Sequence, residues 1–335
     1  MIYGHGDDIY NYDRENLINF STNISPLIDN RDLYKYLCSK IDSISSYPHP
    51  EALPFKEALA NYKRIGVDTI LCTNGAIDAI YTLAEHYRDS FSQILSPTFS
   101  DYKDACMAYG AISYSINSVD QIDEREGVVW ICNPNNPTGS VISRDKLLDL
   151  LTLFPNKIFI IDTSYSYFTK ERLLDYDLIY DYPNLIFIGS MTKNFSIPGL
   201  RLGYIISNER MISKISSKSM PWRVNSLAIN AGVFLIDRSS KIDLNYLLNQ
   251  REVVVSQINA INSFTAYNSS THFFIAKTNR DSASKLKEYL VNNHSILIRD
   301  ASNFEGLDSS YFRIAVRGEE ENNKLIYALK CWTQE

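Results

Sequence analysis

Asn184-Leu185-Ile186-Phe187-Ile188-Gly189-Ser190-Met191-Thr192-Lys193, with Gly199-Leu200-Arg201-Leu202-Gly203 just downstream, is the stretch on which the reading of this chain turns. The apolar run 184–189 predicts a buried strand ending in a turn of small residues. Its continuation carries Lys193 into the protein interior. An ammonium there is costly unless it is paired or reacts. Desolvation and nearby cations lower an amine's pKa and leave more free base, ready to form a Schiff base with a carbonyl. Alone, an ordinary loop lysine would be the better reading. Three further segments change that.

Ile158-Phe159-Ile160-Ile161-Asp162 is an apolar run ending in a carboxylate, followed by Thr163-Ser164-Tyr165. An acid at a strand's C-terminal end can hold a proton on the nitrogen of a pyridine cofactor and keep the ring an electron sink. An aspartate there also commonly caps the following turn. Val128-Val129-Trp130-Ile131-Cys132 leads into Asn133-Pro134-Asn135-Asn136-Pro137-Thr138-Gly139, where two prolines and a glycine stiffen the backbone. Such a loop presents an asparagine amide rigidly, or is only a stiff turn. Thr69-Ile70-Leu71-Cys72-Thr73 runs into Asn74-Gly75-Ala76, and 76–87 has helical spacing. A glycine at that junction exposes backbone N–H groups at a helix N-terminus, a natural phosphate cradle.

The ordered set Asn74-Gly75-Ala76, Asn133 to Gly139, Asp162-x-x-Tyr165, Ser190-x-x-Lys193 and Arg201-x-Gly203 resembles the fold-type I, aspartate-aminotransferase-like enzymes that use pyridoxal 5'-phosphate (PLP). Each motif alone is weak. Together, in the family's order and spacing, they are specific. The resemblance implies an α/β, aspartate-aminotransferase-like fold: a mostly parallel central sheet with helices on both faces, plus a smaller α+β domain. It implies PLP as cofactor. Lys193 would bind it covalently and act as acid and base at the substrate's Cα, and Asp162 would pair with the pyridine nitrogen. Asn136 and Tyr165 would hydrogen-bond the ring's phenolic oxygen. Gly75, Ala76, Ile77, Ser190 and Arg201 would bind the cofactor phosphate. Phe99 sits where the family stacks an aromatic on the ring, although an ordinary core phenylalanine reads as well from the residues. Tyr47, in Tyr47-Pro48-His49-Pro50, matches a tyrosine that reaches the neighbour's cofactor phosphate, which implies a homodimer with a shared active site.

The cofactor does not choose the reaction; groups that orient the substrate do. Arg299 and Arg313 each sit on an apolar run, where a buried guanidinium needs an anion. Two of them suggest two anionic groups, such as a carboxylate and a phosphate. Salt bridges within the small domain are the structural alternative. The segments His5-Gly6-Asp7, Asn19 to Pro26, Pro221 to Ala228 and Ile296 to Arg317 resemble the L-threonine-O-3-phosphate decarboxylases of cobalamin biosynthesis. That likeness spans nearly the whole chain. It implies that His5, Gly6, Asn23, Asn136, Arg299 and Arg313 contact a phosphorylated amino acid, with Arg313 on the α-carboxylate and His5 and Arg299 on the phosphate. The implied reaction releases CO2 from L-threonine O-3-phosphate and leaves (R)-1-aminopropan-2-yl phosphate. Histidinol-phosphate aminotransferase is the alternative on the same scaffold, and a PLP-binding protein without turnover a minor one. Three positions depart from the group's pattern: Asp7, where His-Gly-Gly is usual, Ser25 and Arg223. Asp7 and Arg223 bring charge to the pocket.

The remaining properties agree with an enzyme of this kind. At 335 residues the chain has room for a large and a small domain. The boundaries expected are an N-terminal arm at 1–45, a PLP-binding domain at 46–230 and a small domain at 231–335. A net charge of −6 gives no broad basic surface, which argues against nucleic acid as partner. The five cysteines lack a C-x-x-C pair, so no metal site or disulfide framework is expected, and a reducing cytoplasm fits. Cys72 and Cys132 read as small core residues. No apolar run is long enough to span a membrane.

Overall fold

The computed structural model describes residues 6–12, 17–236, 238 and 242–334. After a short strand β1 (Ile18–Asn19), seven strands build the main sheet: β2 (Ile70–Thr73), β3 (Phe91–Leu95), β4 (Ser113–Ile116), β5 (Gly127–Cys132), β6 (Ile158–Asp162), β7 (Leu185–Ser190) and β8 (Gly203–Ile206). Their order is β2-β8-β7-β6-β5-β3-β4. All run parallel except β8, which is antiparallel to both β7 and β2. Helices cover both faces, so the central strands are continuously apolar rather than alternating. Successive residues point to opposite sides. Val129 and Ile131 join one core cluster, while Val128, Trp130 and Cys132 join the other. The expected α/β fold is the one observed.

The C-terminal third forms β9 (Phe264–Ala266), β10 (Phe273–Thr278), β11 (Ile296–Leu297), β12 (Arg299–Asp300) and β13 (Tyr311–Ala315). Four of these make an antiparallel sheet in the order β12-β13-β10-β9. The stretch 295–299, with the apolar Ile296-Leu297-Ile298 at its centre, divides at Ile298. Its first half pairs with β1, and its second half pairs with β13. Phe20, just after β1, is fully buried in the same core cluster as Phe274, Phe312 and Ile314. Helix starts follow the local chemistry. The Ser143 and Ser282 hydroxyls accept from the N–H groups of Lys146 and Lys285, capping helices Arg144–Leu153 and Ala283–His294.

One register fixes the site. Gly203 is paired with both Thr73 of β2 and Ser190 of β7. The antiparallel strand therefore brings the 198–203 loop to the point where β2 and β7 end. Close approach demands glycine: a Cβ on Gly203 would lie 2.5 Å from the Gly75 carbonyl carbon and 2.7 Å from the Ala76 nitrogen. Gly203→Ala is expected to cost about 1–3 kcal/mol through backbone displacement. At Gly199 an added Cβ meets nothing within 4 Å, so Gly199→Ala should stay within about 0.5 kcal/mol of the parent. Thermal unfolding of the two variants checks this, and equal midpoints would contradict it.

Candidate active site

The C-terminal ends of β5, β6 and β7, with the start of helix Gly75–His86, converge on one cavity of about 250 Å3. This is the crevice that open α/β sheets offer to ligands. Lys193 lies at its centre and makes no salt bridge among the described residues. Burial, then the Arg313 and Arg201 guanidiniums, pull its amine down from the ordinary lysine range to about 8. Asp7 and Asp162 oppose that pull. At neutral pH an amine near 8 holds roughly a tenth of its population as free base, over a hundredfold more than an ordinary lysine does.

Asp162, 4% exposed, closes β6 on the cavity wall. Burial pushes its carboxyl up, while hydrogen bonds from Ser164 and Tyr102 and the charge on Lys193 hold it down. The Ser164 N–H donates to Oδ1 at 2.8 Å, and the Tyr102 hydroxyl donates to Oδ2 at 2.8 Å. Sequence reading does not single out Tyr102. The available signal is its place three residues after Phe99, the spacing of neighbours on one helical face. The two rings meet edge-on at 6.0 Å, and both line the cavity.

Asn136 and Tyr165 line the same wall. The Arg313 guanidinium donates to Asn136 Oδ1 and to the Ser21 carbonyl, and its Nε is buried without a partner. It packs over the Phe273 ring, which meets Tyr165 edge-on at 4.9 Å. Both amide atoms of Asn23 are likewise buried on the cavity wall, with no partner of good hydrogen-bond geometry among the described residues. Unsatisfied buried polar groups of this kind mark a place for a polar ligand.

At the other end, Ala76, Ile77, Ser190 and Arg201 line the cavity. The first-turn amides of helix Gly75–His86 have no intrahelical acceptors. Gly75 has a φ of +82°, and a Cβ there would sit 2.6 Å from Arg201 Nη2, so the guanidinium lies directly over the turn. Arg201 itself is held at φ +56°, a left-handed conformation costing about 1–2 kcal/mol for a residue with a side chain. Strain of this sort collects at ligand clamps. Cationic, hydroxyl and amide donors suit a phosphate, Asp162 suits a ring nitrogen, and the desolvated Lys193 amine suits an aldehyde. The residues present fit PLP.

Other expected residues lie elsewhere. Arg299, 6% exposed, does not line the cavity. It stands beside Arg313 in the β12–β13 register, but its head donates to Asn303 Oδ1 and the Asp300 carbonyl. Gly6 lines the cavity and closes over both arginines: a Cβ there would be 3.3 Å from Arg299 Cδ and 3.4 Å from Arg313 Nη2. Tyr47 is 85% exposed and away from its own chain's cavity, with its ring 5.2 Å from Trp222. His5 lies outside the described residues. Cys132, read as a core residue, is buried but also forms part of the wall. Arg223 sits apart from the cavity wall, 3.3 Å from Asp78 and hydrogen-bonded to Thr82. Among the described residues no cluster suits a metal ion, and no helix is long and apolar enough to cross a membrane.

Comparison with known proteins places this arrangement. Residues 15–329 match the family Aminotransferase class I and II. The crystal structure of L-threonine-O-3-phosphate decarboxylase from Porphyromonas gingivalis superposes with a TM-score of 0.92 at 33% identity, covering 94% of this chain and 99% of that one. The threonine-phosphate decarboxylase of Salmonella typhimurium is 27% identical over 94% of this chain and 91% of its own. The histidinol-phosphate aminotransferase from Clostridium acetobutylicum superposes with a TM-score of 0.83 at 27% identity, covering 94% and 98%. The chain belongs to the class I and II aminotransferase family, with the aspartate-aminotransferase-like fold and pyridoxal 5'-phosphate as cofactor.

Proposed function

We propose that this enzyme decarboxylates L-threonine O-3-phosphate to (R)-1-aminopropan-2-yl phosphate and CO2. The observation that carries the reading is Arg313: a buried guanidinium on the cavity wall that, among the described residues, is bonded to two neutral oxygens and leaves Nε unsatisfied. Such a group has every reason to exchange those partners for a carboxylate, bound as a bidentate fork. The likeness to threonine-phosphate decarboxylases over nearly the full length supports the same substrate.

Bound PLP supplies an electron sink for negative charge at the substrate's Cα. The protein's residues do the rest. Asp162, positioned by hydrogen bonds from Tyr102 and Ser164, would hold a proton on the ring nitrogen. Asn136 and Tyr165 would donate toward the ring's phenolic oxygen, and Phe99 would pack against the ring. The first-turn amides at Gly75, Ala76 and Ile77, with Ser190 and Arg201, would hold the phosphate. Arg313 and Asn23 would grip the α-carboxylate and fix its orientation, favouring cleavage of the Cα–carboxylate bond. Lys193, as ammonium, then delivers a proton to Cα. The cofactor is held by the 46–230 unit, and the substrate's anions by the N-terminal arm and the 231–335 unit. Tyr47, turned outward, suits a homodimer in which it reaches the partner's cofactor phosphate.

The test is purified, PLP-loaded protein supplied with L-threonine O-3-phosphate, and separately with glutamate and imidazole-acetol phosphate. CO2 release without amino transfer is the expected result. Amino transfer without CO2 would make the chain a histidinol-phosphate aminotransferase instead. Two residue-level results are also expected. Tyr102→Phe removes a hydrogen bond to a buried carboxylate, and such bonds contribute about 1.5–3 kcal/mol. Cofactor affinity by equilibrium dialysis should weaken about tenfold or more, and an unchanged value would remove Tyr102 from the site. In the cofactor-free chain, acylation of Lys193 followed by mass spectrometry should reach half its maximal rate near pH 8, because only the free base reacts. Ordinary lysines should do so about two units higher. A Lys193 profile indistinguishable from theirs would contradict its burial among cations.

A further inference from the structure

Two carboxylates face the cavity among the described residues, Asp162 and Asp7, and the chemistry above employs only the first. Asp7 is built into place. Its N–H donates to Ser21 Oγ at 2.9 Å, and its Oδ1 accepts from Asn19 Nδ2 at 2.6 Å. The backbone is held at φ +64°, a conformation that a residue with a side chain rarely adopts. Oδ2 has no partner among the described residues, and Asp7 forms no salt bridge there. This is so although Lys193, Arg201 and Arg313 line the same cavity. The neighbouring Asp8 is different: Lys287 holds its Oδ2 at 2.5 Å, well away from solvent. Arg299 lies behind Gly6, and Asp162 is occupied by Tyr102 and Ser164. Asp7 is thus the acid on the substrate side with an oxygen to spare, and its field is felt at Lys193.

We propose that Asp7 is a specificity-determining residue that accepts a hydrogen bond from the substrate's phosphate, so that the pocket takes this group in its singly protonated form. An ionised carboxylate is an acceptor only, and a phosphate dianion likewise offers only acceptors. Opposed oxygens repel. The monoanion keeps one O–H, and an O–H to carboxylate bond is short and strong. Arg313 remains available to the α-carboxylate, while Asp7 reads the protonation state at the far end. This rests on the substrate being a phosphorylated amino acid.

The test uses ethyl phosphate, a monoester with neither amine nor carboxylate, titrated calorimetrically into the PLP-loaded protein. Loading keeps the cofactor's own phosphate site filled. Parent, Asp7→Asn and Asp7→Gly are compared from about pH 5.5 to about pH 7.5, across the second ionisation of a phosphate ester near pH 6. Glycine adopts positive φ freely, so Asp7→Gly preserves the backbone if asparagine does not. The parent's affinity should fall on the order of tenfold per pH unit above about pH 6. Both variants should lose that slope and bind more tightly than the parent at the upper end. The same slope in the variants, weaker binding by Asp7→Gly at every pH, or no measurable binding to any form would each overturn the proposal. Ethyl phosphate undergoes neither reaction, so the titration stands or falls separately from the decarboxylase assay.

Discussion

Stripping the Lys193 amine of water is the constraint on which the site depends. A lysine in the open would be an ammonium, with no nucleophilic capacity and no reason to sit among arginines. Here burial and the charges of Arg313 and Arg201 act in the same direction, and Asp7 and Asp162 only partly offset them. The price is an interior rich in unsatisfied charge, acceptable only where ligands complete it. Arg313 makes do with two neutral oxygens, Asn23 has no well-formed partner among the described residues, and the first-turn amides of helix Gly75–His86 lack intrahelical acceptors. Each vacancy in the bonding corresponds to a group on a phosphorylated pyridine or an amino acid.

The fold supplies the rigidity that such an arrangement needs. Strand ends fix Asp162 and Ser190, and the antiparallel β8 returns Arg201 to the same edge through the pairing of Gly203 with Thr73 and Ser190. The substrate side is assembled differently, from a segment near the N-terminus. Phe20 is buried in the C-terminal core, and the Ser21 carbonyl accepts from Arg313. Ser25 then donates to the Lys193 carbonyl at 3.0 Å. Residues 20–25 therefore tie Arg313 to Lys193 across the two sheets. A displacement of that segment moves both walls of the substrate site together.

Much of this was legible in sequence because it is local. β5, β6 and β7 are covered on both faces, so they read as unbroken apolar runs, and the functional residues follow at fixed offsets from their ends. What escaped is what depends on distant partners. Ile296-Leu297-Ile298 is an unbroken apolar run, yet the chain divides there between two strand partners, and the Arg299 head is turned to Asn303 and the Asp300 carbonyl while Gly6 passes over its stem. Tyr102 carries the burial signature of any core tyrosine. Only the carboxylate it meets, sixty residues away in sequence, gives it a role. Asp7 stood out in sequence as a departure from the family pattern, but its spare oxygen and its anchoring by Asn19 and Ser21 are visible only in three dimensions.

The central claim is that the protein breaks the bond from Cα to the carboxylate and leaves the Cα hydrogen in place. L-Threonine O-3-phosphate deuterated at Cα tests this most directly, with the product followed by NMR in ordinary water. The account predicts a product that retains the deuterium and gains one solvent proton at the same carbon. Loss of the deuterium to solvent with the carboxylate intact would contradict it, because Lys193 would then be acting as the base of an aminotransferase.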